Sequence, residues 1–215
     1  MNSIIETILI ILIIANLIIL GSTKKIKRSI NIFAIESTLI GILVLLFHNQ
    51  NLQMKFIFLI VITILIKSIL IPWLLLRSTT DLSLNTTTEP FIGYSSSVIA
   101  GMIALAISLW LGTNLSFPIK TDFRLVIPVA FYMIFVGLFL MVTRRKAINQ
   151  VIGYLILENG IYIFGAFLVT IVAFLVELGI LLDLVGAVFI MAIALFHINE
   201  NFEHIDISRL SNLKD

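Results

Sequence analysis

The stretch TILIILIIANLIILG, Thr7 to Gly21, is followed directly by the basic segment Lys24-Lys25-Ile26-Lys27-Arg28, and that order decides the class of fold. A hydrocarbon core about 30 Å thick needs roughly 20 mainly apolar residues for one helix to cross it. A secretory leader carries its positive charge ahead of its apolar run, not behind it. The run therefore reads as a retained first membrane helix. The rest of the chain repeats the theme: of 215 residues 60% are hydrophobic and only 12% charged, where a soluble domain carries about a quarter. Mean hydropathy is +1.16. With 14 basic and 12 acidic residues the net charge is +2, which points to no acidic partner; what matters is where the charges fall. The absence of cysteine excludes a disulfide, a thiolate zinc or nickel site and an iron–sulfur ligand within this chain.

Applied along the sequence, the same ruler predicts an all-α, polytopic membrane protein of about seven spans. The second lies at about Ile30 to Phe47 and contains Glu36; the third, about Met54 to Leu76, holds Lys67, with Pro72 near its end. The Ser/Thr-rich stretch Arg77 to Pro90 is the longest hydrophilic loop. A fourth span follows at about Tyr94 to Leu111 and a fifth at about Leu125 to Val142, closed by Arg144-Arg145-Lys146. The last apolar block divides into a sixth span, about Gln150 to Val172, and a seventh, about Phe174 to His197. With the N-terminus outside and the C-terminus inside, ten Lys and Arg residues fall on the cytoplasmic side (24, 25, 27, 28, 77, 144, 145, 146, 209 and 214) and three outside (55, 120 and 124). That bias matches the excess of positive charge found in cytoplasmic loops.

A charge at a helix centre costs about 2.5–3.5 kcal/mol on insertion scales, so each ionisable residue inside a span is a functional candidate. At about 1.5 Å of rise per residue, Glu36 and Lys67 lie at matching depths on adjacent, antiparallel spans. An ion pair between them is therefore geometrically possible, either as a static packing device or as part of a polar path. Glu158 falls near the membrane centre with no basic residue near it in sequence, and left unpaired it would favour its neutral form. Asp183 lies at comparable depth on the seventh span and shares a face with His197, which is placed to collect protons from the cytoplasm. Glu177 points about 120° away from Asp183 and suits a subunit contact as well as ion handling. The alternative for these carboxyls is a purely interhelical hydrogen-bonding role. His48 sits at the opposite membrane surface from His197 and His204, which argues against a bis-imidazole haem. Phosphate-loop, zincin and nucleophile-elbow motifs are absent. The glycines at 153, 160, 165, 179 and 186 read as helix-packing points.

The block from Ile148 to Gly160, INQVIGYLILENG, followed by Val176-Glu177-Leu178-Gly179-Ile180-Leu181-Leu182-Asp183, resembles component E of hydrogenase-4, the membrane subunit of formate hydrogenlyase-type complexes. Lys67-Ser68-Ile69-Leu70-Ile71-Pro72-Trp73 resembles the third-helix segment of that family. Within residues 125–200 the pattern is also similar to subunit K (chain 4L) of NADH–quinone oxidoreductase, with Glu158 and Asp183 corresponding to its two carboxylates. Asp stands at 183 where that family has Glu, and the connection between the last two spans is shorter. The resemblance implies a four-helix region (1–124), a subunit K-like three-helix module (125–200) and a short cytoplasmic tail (201–215).

It further implies a non-redox subunit in a prokaryotic cell membrane, with no cofactor in this chain. Antiporter-like and quinone-site-like membrane subunits would be its neighbours. NiFe and iron–sulfur centres would reside in peripheral hydrogenase subunits, and Glu158, Asp183, Glu36, Lys67, Glu177 and His197 would take part in proton or sodium transfer. The rivals are a structural subunit linking its neighbours and a standalone secondary transporter. The second is disfavoured because the halves show no repeat and Pro72 and Pro128 lie near helix ends.

Overall fold

The computed structural model describes residues 2–21, 26–47, 54–80, 91–115, 125–168 and 186. Every extended element among them is helical: α1 Asn2–Gly21, α2 Ile26–Phe47, α3 Met54–Leu65, a π-helical segment Ile66–Leu70, α4 Ile71–Thr80, α5 Tyr94–Asn114, α6 Val126–Thr143 and α7 Ala147–Leu168. Among the described residues, five spans are long and apolar enough to cross a membrane: Ser3–Gly21, Ile26–Leu46, Ile60–Arg77, Tyr94–Asn114 and Val126–Thr143. α7, 22 residues long, carries Asn149, Gln150, Glu158 and Asn159 within an otherwise mainly apolar sequence. The expected seventh span lies outside the described residues except for Gly186, which is helical and packs against Tyr154 and Leu155 of α7.

α1 shows why this is a membrane fold. Ile5, Leu9, Leu12, Asn16 and Leu20, spaced three or four apart, are buried, whereas Ile4, Ile10, Ile11, Ile14 and Ile18 are exposed. A helix apolar all round belongs in a large core or in lipid, and the exposed isoleucines are the surface lipid would cover. Helix starts and ends shift from the sequence reading by a few residues. α1 begins at Asn2, α2 takes Lys27 and Arg28 into its first turn, and α4 runs three residues past Arg77.

The third span is a continuous rod with one wide turn in it. The Ile71 N–H bonds to the carbonyl of Ile66, five residues back. Pro72 supplies a physical reason: its ring has no N–H to donate and crowds the carbonyl four residues earlier, that of Ser68. Such π turns are rare and gather at functional sites. Lys67 stands within this one.

α6 and α7 form an antiparallel hairpin with their backbones almost in contact. A Cβ on Gly137 would lie 2.6 Å from the Gly153 carbonyl oxygen, and one on Gly160 would lie 2.9 Å from the Ala130 carbonyl oxygen and the Ile134 amide nitrogen. Small residues allow this approach where lipid provides no hydrophobic drive between helices. The packing roles expected for Gly153 and Gly160 are met: on α6, Gly137 faces Gly153, and Ala130 and Ile134 face Gly160. α6 also packs on α1 and α5, and α7 on α2.

The helix order brings the C-termini of α1, α4 and α6 and the N-termini of α2, α5 and α7 to one end of the bundle. Lys27, Arg28, Arg77, Arg144, Arg145 and Lys146 gather there. Arg144 is buried: its Nη2 donates to the Leu20 carbonyl at 2.9 Å and to Ser97 Oγ at 3.3 Å, and the guanidinium lies 4.8 Å from the Tyr94 ring centre. It thus caps the C-terminal turn of α1, whose carbonyls have no partner within the helix. Burial lowers the pKa of Arg144 and Tyr94 beside it acts in the opposite sense, but a guanidinium remains charged at any physiological pH.

Candidate functional site: a buried polar chain across four elements

The polar side chains that point inward meet midway along the helices. Lys67 Nζ forms an ion pair with Glu158 Oε1 at 2.7 Å and donates to Asn159 Oδ1 at 3.3 Å. Asn159 Nδ2 in turn donates to Ser37 Oγ at 3.3 Å. The neighbour of Ser37, Glu36, accepts from Asn16 Nδ2 at 2.8 Å, and the same amide donates to the Leu12 carbonyl at 2.9 Å. With two acceptors facing Nδ2, the orientation of the Asn16 amide is settled by its hydrogen bonds. One group thus ties α1 to α2 and the other ties α2 to the π segment and α7, and they meet at the adjacent residues Glu36 and Ser37 of α2. The side chains of both groups are at least nine-tenths buried.

The pairing differs from the sequence expectation. The depths of Glu36 and Lys67 allow the two to pair; instead Asn16 takes Glu36, and Lys67 reaches across to α7. Glu158, expected to lack a basic partner, has Lys67. Adjacency along the chain favoured the first pairing, while the packing of α7 against α2, together with the π turn that carries Lys67, produces the second. One residue away, Ser68 and Thr38 tie the third span to α2 through their hydroxyls at 2.8 Å.

Several buried atoms in this region have no hydrogen-bond partner among the described residues: Glu158 Oε2, Glu36 Oε2, Asn16 Oδ1 and the hydroxyl of the fully buried Tyr132. Beside Lys67 lies a small cavity of about 10 Å³, lined by Ser37, Thr63, Lys67, Asn159 and Tyr162 among others. A void of that size holds about one water molecule if it offers polar partners, and this one does. Lys67 also lies 5.6 Å from the centre of the Tyr162 ring. Two carboxyl groups, one ammonium and a water-sized polar void are the parts from which a proton or cation relay is built.

Of the six residues singled out in the sequence, the structure brings Lys67 and Glu158 into contact and sets Glu36 one residue from the same chain. Asp183, Glu177 and His197 lie outside the described residues. Asn16, Ser37 and Asn159 were not anticipated. The signals for them are a lone Asn in the run ILIIANLIIL and the Asn directly after Glu158; an uncharged amide costs far less to bury than a charge and so stands out less in a sequence.

With helices throughout the described residues, five of the spans among them apolar enough to cross a bilayer, and a polar interior, the chain fits a multi-pass membrane protein. Over 148 residues, 69% of this chain and 68% of its relative, it is 24% identical to hydrogenase-4 component E of Escherichia coli, and equally to that of Shigella flexneri. Over 154 residues, 70% of this chain and 69% of the other, it is 29% identical to an uncharacterized protein of Mycobacterium tuberculosis. No family model and no solved structure matches the chain. The chain is thus a distant homologue of hydrogenase-4 component E, and its apolar helices fit a membrane subunit of a hydrogenase-type complex.

Proposed function

We propose that the protein is a non-redox membrane subunit of an oxidoreductase related to respiratory complex I, of the membrane-bound NiFe hydrogenase type, and that its buried polar chain takes part in proton or sodium transfer. The observation that carries this reading is the Lys67–Glu158 pair, 2.7 Å apart, buried, and joining residues 91 positions apart in sequence. Isolated ionisable groups do not persist at mid-membrane without a partner or a use. Here a lysine on a π turn faces a carboxylate whose second oxygen has no partner among the described residues. In this role Lys67 alternates between partners as protons or cations arrive, Glu158 accepts and releases them, and Glu36 with Asn16 extends the route toward α1. Asp183 and His197 continue the route on the seventh span, and Glu177 lies near its outer end.

The chain holds no redox centre in this reading. NiFe and iron–sulfur groups belong to peripheral partner subunits, and antiporter-like and quinone-site-like membrane subunits flank this one. Residues 125–200 form its subunit K-like module. The basic end of the bundle faces the cytoplasm of a prokaryotic cell.

The test is Glu158→Gln, which keeps a hydrogen-bond acceptor for Lys67 but cannot carry negative charge. Assembled complexes containing it are expected to retain electron transfer and to lose most coupled ion movement, measured in proteoliposomes with pH- and sodium-sensitive dyes. Full pumping by the assembled variant would overturn the reading. Failure of the variant to assemble would instead favour the structural role, in which the same buried pair only fastens α7 to the third span.

A further inference from the structure

We infer that the groove between α1, α5 and α6, together with the basic end of the bundle, is a binding site for one anionic phospholipid. The groove has a volume of about 400 Å³ and is lined by Leu20, Ala100, Gly101, Ala104, Phe135 and Phe139, among other apolar side chains. It runs along α5 toward the N-terminus of that helix. There Gly93 occupies the N-cap and provides no side chain to cap the first amides, and such amides favour anions.

Two links tie the groove to the charge at its mouth. Leu20 contributes its side chain to the groove and its carbonyl to Arg144. Ser97, four residues and thus one turn before Gly101 on the same face, accepts from Arg144 as well. Arg144 itself is only 4% exposed, stacks on Tyr94 and keeps Nη1 without a partner among the described residues, beside a small polar cavity that Tyr94 and Asn149 help to line. Arg145 is exposed and lies 4.3 Å from the Phe91 ring centre, and Lys146 is half-buried. Basic pockets between transmembrane helices bind lipid headgroups. A phosphodiester seated over the α5 N-terminus meets three cations, while its acyl chain follows the apolar groove. A bare inorganic anion would leave the groove unused, and a zwitterionic lipid would bring a cation into a positive site.

The experiment uses the full chain in a neutral detergent, titrated with phosphatidylglycerol, phosphatidylcholine or inorganic phosphate. Bound lipid is counted by native mass spectrometry and stability is read from thermal unfolding. Phosphatidylglycerol is expected to bind in preference and to raise the unfolding temperature, with phosphate alone leaving it unchanged. Each basic residue near the site contributes about fivefold in affinity, so R145Q/K146Q is expected to weaken phosphatidylglycerol binding about thirtyfold. Ala104→Trp, which fills the groove, is expected to displace the lipid while leaving the basic end intact. Equal binding of phosphatidylcholine, an equal effect of phosphate, or unchanged binding in either variant would overturn the inference. So would a photo-crosslinker at Ile103 that, in the native complex, captured only polypeptide; capture of lipid supports it.

Discussion

At the scale of single residues, Lys67 and Glu158 hold each other in place. The exposure of either alone to a low-dielectric interior would be far more costly than the pair. Removing one partner of a buried pair costs about 3–5 kcal/mol, whereas replacing both by apolar residues of similar size is often neutral. Lys67→Met is therefore expected to lower the unfolding temperature of the detergent-solubilised protein strongly, and the double variant Lys67→Met/Glu158→Leu to recover most of that loss. A double variant as unstable as the single one would mean that Asn159 and the neighbouring cavity, not the pair, hold this region together. This partnership was hidden in the sequence for a simple reason. Proximity along the chain pointed Lys67 to Glu36, on the preceding span, whereas its actual partner lies 91 residues away. Charge alone could nominate both residues, but not join them.

At the scale of elements, the apolar runs were legible because crossing a bilayer demands length and hydropathy, and both are written in composition. Helix ends moved by only a few residues. The π turn was not legible: Pro72 announces a disturbance, but whether the helix bends, breaks or widens depends on what packs around it. The α6–α7 seam was half legible, since Gly153 and Gly160 stood out as packing points while nothing assigned them Gly137 and Ala130 as counterparts. The seam makes a sharp prediction. Gly160→Val pushes a branched side chain into the backbone of α6, and overpacking of this kind costs about 1–3 kcal/mol. Gly93→Ala, where an added Cβ meets nothing within 4 Å, is expected to cost only the roughly 0.5–1 kcal/mol by which an N-cap prefers Gly to Ala. Thermal unfolding of the two variants side by side separates these outcomes; equal effects would show that the close approach of α6 and α7 carries no stability.

At the scale of the whole molecule, the gathering of Lys27, Arg28, Arg77, Arg144, Arg145 and Lys146 at one end turns a count of loop charges into a spatial feature. The orientation it implies is open to direct measurement, because the chain has no cysteine and every thiol label must come from an introduced residue. In intact cells a membrane-impermeant thiol reagent is expected to modify Asn114→Cys, at the far end of α5, and to reach Lys27→Cys only after the membrane is opened. The reverse pattern would invert the protein and put the basic end outside.

The glycine seam has a consequence well away from itself. Gly160 and Glu158 are two positions apart, about 200° around the helix, so α7 turns its bare side to α6 and its acid to the opposite neighbour. Three hydrogen atoms in place of three methyl groups thereby set the aim of a carboxylate they never touch. Loosening that contact would swing the acid away from its lysine as surely as replacing it.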